Sequence, residues 1–197
     1  MKNNTIVYDI DDKTYINLTN ECSNNCTFCL RRNHDGIENY YLWLAKKPTA
    51  KEVVSELEKR KVEKAVFCGF GEPLYALDVL LEVAKYLKKI GASVRVNTNG
   101  QAKLIAGSGV AKKMKGLVDV VSVSLNASTA EKYQNLCHSI FGEQGFYALL
   151  DFAKELKEEG IKVVFSVVDT IGAEEIEACR KVAESVGAEF RMRTYIE

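Results

Sequence analysis

Apolar positions along the chain follow two rhythms. Short runs rich in β-branched residues cover Thr14 to Leu18, Ala65 to Phe70, Ser93 to Asn97, Val118 to Leu125, Lys162 to Val168 and Glu189 to Met192. Several of these runs are continuously apolar, as strands covered on both faces are, and they predict six strands. Between them, apolar residues recur at helical spacing over Thr49 to Arg60, Ala76 to Ile90, Ala130 to Cys137, Gln144 to Glu159 and Glu174 to Val186, and more loosely over Lys103 to Lys115. The order is β-α repeated six times.

Local punctuation agrees. Gly91, Gly160 and Gly187 each follow a helical pattern directly and supply the left-handed residue that ends a helix. Thr49 with Glu52 three residues later reads as a capping box. Strands separated by helices require right-handed crossovers and therefore a parallel sheet, in an α/β fold. Six units form either part of an eight-stranded barrel or an open doubly wound sheet. Ahead of them, Thr5 to Ile10 turns at Asp11-Asp12 into the first strand as an antiparallel edge hairpin.

Composition narrows the picture. One domain spanning 1–197 is expected at 197 residues. No uncharged apolar run reaches the length of a membrane span, and the N-terminus lacks a signal-peptide pattern, so a cytoplasmic protein with no membrane partner is expected. The 27 basic and 27 acidic side chains cancel, which excludes whole-chain attraction to a polyanion and requires any such partner to be read by a local patch. In a reducing compartment the six cysteines point to metal or redox chemistry rather than to three disulfides.

In parallel α/β folds ligands gather at the C-terminal ends of the strands. Those ends carry Thr19-Asn20-Glu21-Cys22, Gly69-Phe70-Gly71-Glu72-Pro73, Asn97-Thr98-Asn99-Gly100 and Ser124-Leu125-Asn126, and the last strand carries Arg191 and Arg193. Cys22, Cys26 and Cys29 have the spacing C-x3-C-x2-C in the loop after the first strand. Three thiolates within eight residues converge on one centre. Because a cubane iron-sulfur cluster or a structural zinc ordinarily takes four ligands, three cysteines leave one coordination position open. The competing reading is a zinc-stabilised α/β binding module, with His34 as the fourth ligand; a simple electron carrier is a third.

With these residues in place, the chain resembles the radical S-adenosylmethionine (SAM) enzymes. Phe28 stands as the aromatic residue of C-x3-C-x-aromatic-C, and Gly69-Phe70-Gly71-Glu72-Pro73 resembles the family's Gly-Gly-Glu-Pro motif. Asn97-Thr98-Asn99-Gly100 and Ser122-Val123-Ser124-Leu125-Asn126 resemble its third- and fourth-strand cofactor elements. More narrowly, the motif set is similar to the short TatD-associated radical SAM proteins, whose name records a link to a TatD-type hydrolase.

The resemblance implies a partial (βα)6 TIM-like barrel. It also implies that Cys22, Cys26 and Cys29 hold a [4Fe-4S] cluster whose fourth iron binds S-adenosyl-L-methionine. Reductive cleavage of SAM then yields a 5′-deoxyadenosyl radical that abstracts hydrogen from a substrate. Gly69 and Gly71 are expected to let backbone approach the methionine end of SAM, and Glu72 to add charge or fix the loop. Phe70 replaces a usual glycine and is expected to point away from SAM. Asn97, Ser124 and Asn126 are the polar residues expected to contact SAM, with Arg193 pairing an anion.

Arg191 and Arg193 alternate on the last strand and face the same side, so that one of them pairs with the SAM carboxylate or a substrate anion, or they make surface ion pairs with Glu189 or Glu197. Arg31 and Arg32 tune the cluster, dock an acidic electron donor such as flavodoxin or ferredoxin, or are simply solvated. Cys68, Cys137 and Cys179 are expected to pack, with His138 solvated. The loop from Leu30 to Pro48, with Tyr40, Tyr41 and Trp43, forms a lid or seals the core. A barrel with little capping suits a protein, peptide or nucleotide substrate, or a partner chain that closes the site. An exposed cluster with an open iron is expected to be oxygen-sensitive.

Overall fold

A computed structural model describes residues 5–195. Its main sheet contains β1 (Val7–Ile10), β2 (Lys13–Ile16), β5 (Lys64–Phe67), β6 (Ser93–Thr98), β7 (Val120–Ser124), β8 (Lys162–Val168) and β9 (Glu189–Arg193), in the order β1-β2-β5-β6-β7-β8-β9. From β2 to β9 every pairing is parallel. β1 is an antiparallel edge turned at Asp11, whose φ is 53°. β1 and β9 do not meet, so the sheet curves as the expected partial barrel and stays open along one side.

The helices are α1 (Ala50–Leu57), α2 (Leu77–Lys89), α3 (Ala102–Ala106), α4 (Val110–Met114), α5 (Ala130–Cys137), α6 (Gln144–Glu158) and α7 (Ala173–Ser185). Strand alternation decides which face they cover. Ile16, Ala65, Phe67, Val94, Val96, Val121, Val123, Val163, Phe165 and Val167 point outward into one core with Leu80, Leu87, Leu149, Phe152 and Leu156 of α2 and α6. The complementary set, Tyr15, Arg95, Asn97, Ser122, Ser124, Ser166, Arg191 and Arg193, therefore faces the barrel interior. The outer face is apolar, and the inner face mixes these polar residues with Val66, Val164 and Val168.

The capping box at Thr49 forms as expected, with Glu52 N–H donating to the threonine hydroxyl and Thr49 N–H to the glutamate carboxylate. Two expectations are corrected. Lys103 to Lys115 is not one helix, because Gly107 and Gly109, at φ 79° and 78°, divide it into α3 and α4. The second strand ends at Phe67, three residues early, since its next residues begin the glycine loop.

Leu30 to Pro48 is also more ordered than a plain loop. It contains a turn of 3-10 helix (Leu30–Arg32) and a two-stranded ribbon of β3 (Gly36–Ile37) and β4 (Tyr40–Tyr41). Leu42 is buried with Tyr8 and Phe70 in a second small core, and Ile37, Tyr40 and Trp43 pack around it. The aromatic residues thus seal the molecule at this end.

Candidate active site

The loop that follows β2 carries the cysteines and is tied down by hydrogen bonds to its backbone. Asn25 and Thr27 N–H donate to the carbonyls of Cys137 and Leu136 at 2.9 and 3.0 Å, which fixes the loop on the C-terminus of α5. Arg31 donates to the carbonyls of Asn20 and Asn24, at 3.2 and 3.0 Å. Arg32 donates to those of Cys26 and Asn25, at 2.8 and 2.9 Å. The two guanidiniums read from the sequence as tuning, docking or solvated groups are clasps on the loop.

Beneath the loop lies a polar network that sequence reasoning missed. Ser23, Asn24, Asn99, Gln101 and Ser139 are buried with Tyr133 between the loop, the end of β6 and α5. Ser23 Oγ donates to Gln101 Oε1 at 2.7 Å and accepts from Asn99 Nδ2 at 2.8 Å. The Tyr133 hydroxyl accepts from Asn24 Nδ2 and Gln101 Nε2 at 2.8 and 2.9 Å. Buried polar groups satisfied by one another fix a single geometry. The only sequence signal was that Ser23, Asn24 and Gln101 are polar residues beside the motif positions.

Glu72 is buried in the same way. Its carboxylate accepts from Thr98 Oγ1 at 2.7 Å, Asn99 N–H at 2.6 Å and Leu74 N–H at 3.1 Å, and its own N–H donates to the Glu21 carbonyl at 2.7 Å. It joins the glycine loop to β6 and to the cysteine loop, so of the two roles expected for it the structural one is realised. Burial outweighs these hydrogen bonds and lifts its pKa to about 7.

The glycines serve the same packing. A Cβ on Gly71 would stand 2.2 Å from the Thr19 carbonyl oxygen, and one on Gly69 would stand 2.0 Å from Asn17 Oδ1. Each glycine permits a close approach of the chain to itself, and Gly69 also borders the cavity described next. Phe70 lines that cavity, held edge-on against Trp43 at 5.0 Å between ring centres.

A cavity of about 370 Å³ opens beside the cysteine loop. Cys26, Phe28, Cys29, Cys68, Gly69, Phe70 and Arg193 line it, and Tyr8, Tyr15 and Tyr195 extend it toward the open side of the barrel. Its size lies within the range of small-molecule sites. Cys22, Cys26 and Cys29 are all half-buried, and burial raises all three thiols; Cys22 reaches about 12. For Cys26 the paired Cys137 thiol is the larger cause. Cys22 and Cys29 are each raised a little further by Cys26. Without a cation to hold them as thiolates they stay neutral, the usual condition of a metal site before loading.

Other expected residues scatter. Asn97 faces inward, accepts from Arg95 Nε at 2.9 Å and bonds the Cys68 thiol. Ser124 also faces inward, in register with Ser166. Neither reaches the cavity wall. Asn126, left-handed at φ 61°, donates to Cys137 Sγ at 3.4 Å and borders a separate depression with Lys132, Ile171 and Glu175. Cys68 is half-buried and on the cavity wall, not a packed hydrophobe, whereas Cys137 and Cys179 are fully buried.

Two features test whether the family's cofactors fit. Arg193 Nε and Asn126 Oδ1 are buried polar atoms without a hydrogen-bond partner. Such atoms are rare unless a ligand or water completes them, and both were expected to contact SAM. The second is the donor chemistry: Cys22, Cys26 and Cys29 supply the thiolates that an iron-sulfur cluster takes, and among the described residues no three His, Cys, Asp or Glu side chains converge closely enough to hold a single metal ion. His34 is exposed and borders a different depression with Asp35, Glu38 and Tyr40, which removes the fourth ligand from the zinc reading. Among the described residues no helix is long and apolar enough to cross a membrane.

Comparison with known proteins agrees with this geometry. The structure superposes on Streptococcus suis SuiB bound to its precursor peptide SuiA with a TM-score of 0.72 and 18% identity, over 97% of this chain and 41% of that one. At that identity the likeness is one of fold. An uncharacterised protein of Methanocaldococcus jannaschii, MJ0804, is 27% identical over 122 residues, 61% of this chain and 36% of the relative. The dual-specificity RNA methyltransferase RlmN of Hyphomonas neptunium is 30% identical over 117 residues, 54% of this chain and 30% of the relative. The chain thus spans about a third of the length of these curated relatives. The radical SAM superfamily model matches residues 16–186, nearly the whole of the described barrel, and the chain belongs to that superfamily of enzymes, which use a [4Fe-4S] cluster and SAM.

Proposed function

We propose that Cys22, Cys26 and Cys29 hold the three protein-ligated irons of a [4Fe-4S] cluster, and that SAM occupies the adjoining cavity with its amino and carboxylate groups toward the open iron. Bound there, the cluster and SAM supply reductive cleavage to methionine and a 5′-deoxyadenosyl radical able to take hydrogen from a substrate. Everything else falls to the chain. The observation that carries this reading is the shared cavity, which unites Cys26, Phe28 and Cys29 with the unpartnered Nε of Arg193.

In that arrangement Arg193 donates to the SAM carboxylate. Phe28 and Phe70 shield the cavity from water. The network of Ser23, Asn24, Gln101 and Tyr133 holds the cysteine loop in place before any metal arrives. Radical SAM enzymes need a reductant. A flavodoxin or ferredoxin would approach the outer side of the loop, where Asn25, Thr27 and Arg32 are exposed.

The test is anaerobic reconstitution with iron and sulfide, followed by dithionite and SAM. Release of 5′-deoxyadenosine by wild type, with loss of that product and of the visible absorbance in Cys26→Ala, supports the reading. A colourless protein holding one zinc rejects it.

A further inference from the structure

The inner face of the barrel carries charge that the site above does not use. Arg95 on β6 stands in one layer with Tyr15 and Val66, two residues before Asn97. Arg191 stands two residues before Arg193 on β9 and in register with Ser166 and Ser124. Both arginines therefore lie about 7 Å further from the cysteine loop than their successors. They are three strands apart, yet the curvature of the sheet brings them toward each other across the hollow. Arg95 senses both Arg191 and Arg193, and Tyr15 senses Arg95 and Arg191.

No acid balances this group among the described residues. The groups acting on Arg193 are two thiols and Arg191. Glu189, the nearest acid along β9, is taken by Lys162 at 2.7 Å, so the surface pair suggested for Arg191 does not form; Glu197 lies outside the described residues. Arg95 makes one hydrogen bond, to Asn97, and Arg193 keeps its Nε buried and unpartnered. Arg95 and Arg193 are half-buried and Arg191 is exposed beside them; guanidiniums placed together without a carboxylate repel one another unless an anion joins them. The adjoining wall is aromatic, with Tyr8 stacked on Tyr15 at 5.3 Å and 19°, and it opens on the cavity.

We propose that Arg95 and Arg191, with Arg193 above them, form a binding site for an anionic group of the substrate, a phosphate or carboxylate, held inside the barrel on the side away from the cysteine loop. Planar guanidinium forks suit such groups, and the hydroxyls of Ser124 and Ser166 stand on the same face. The remainder of the substrate then runs along Tyr8 and Tyr15 toward the cavity. This inference deepens the proposed function: it rests on that reading only for what the substrate meets at the cysteine end.

The experiment is calorimetric titration of the full-length, cluster-loaded protein with inorganic phosphate and, separately, with SAM. The expected result is phosphate binding that weakens about tenfold or more in Arg95→Gln and in Arg191→Gln, the loss of a charge-assisted hydrogen bond. SAM affinity changes by less than about twofold in these variants, and circular dichroism verifies their fold. Arg95→Lys, which keeps the charge, recovers part of the phosphate affinity. Absence of phosphate binding in wild type overturns the proposal. So does phosphate binding that only Arg193→Gln abolishes, together with SAM binding, because the arginines would then serve the SAM carboxylate alone. Phosphate binding that persists in protein unable to take up a cluster would leave the anion site standing and reject the radical SAM reading of the cysteines.

Discussion

Replacing Glu72 by Gln tests the claim that this residue is a buried structural tie whose charge is a liability. Its carboxyl has a pKa of about 7 in the folded chain against an ordinary 4.5. Between those values the folded protein keeps a proton that the unfolded chain has released. Stability therefore falls as pH rises through the window, and the loss is complete above about pH 7. A shift of this size corresponds to about 3 kcal/mol. Glutamine cannot ionise; its oxygen still accepts from Thr98 and Leu74, but its NH2 group cannot accept from Asn99 N–H, a loss of about 1–3 kcal/mol at every pH. Near pH 5 Glu72→Gln should therefore be less stable than wild type by about that amount. Between pH 5 and pH 8 the difference should move in favour of the variant by about 3 kcal/mol. Urea denaturation of the metal-free protein at several pH values measures the difference directly. A difference that does not change with pH would refute the reasoning, because the three hydrogen bonds would then offset burial.

Tyr133→Phe removes the hydroxyl that receives Asn24 and Gln101; it should cost about 1–3 kcal/mol in thermal denaturation and lower the iron retained after reconstitution. Gly71→Ala places a methyl group 2.2 Å from the Thr19 carbonyl, so it should displace the cysteine loop and reduce iron content while far-ultraviolet dichroism stays native. Cys137→Ala should keep the cluster absorbance that Cys26→Ala loses, at a stability cost of about 1–2 kcal/mol from the buried thiol and its contact with Asn126. Equal loss of iron in both variants would contradict the assignment of ligands.

The repeating β-α order was legible because strand and helix periods differ so clearly, and because Gly91, Gly160 and Gly187 sit at φ 81°, 77° and 63° where a helix must stop. The cysteine loop was legible from spacing alone. What spacing could not show was the direction of each side chain at the strand ends. Register settles that: Asn97, Ser124 and Arg193 share the inner face, whereas Asn126 lies past the end of β7 in a left-handed turn that carries it to another depression. Gly69 and Gly71 fit the expected motif, but their bare Cα atoms answer to Asn17 and Thr19, which are remote in sequence. The network around Tyr133 joins residues 23, 24, 101, 133 and 139, and long-range hydrogen bonding of that kind leaves no local pattern. Arg95 was passed over because a lone arginine within an apolar strand has meaning only once the strands across the hollow are known.

The central claim is that three cysteines leave one iron of a cluster open to SAM. Electron paramagnetic resonance of the dithionite-reduced, anaerobically reconstituted protein, recorded with and without SAM, tests it most directly. The account predicts a reduced [4Fe-4S] signal in wild type whose line shape changes when SAM is added, and no such signal in Cys26→Ala. A [4Fe-4S] signal indifferent to SAM, or none in wild type that retains its fold, would contradict it.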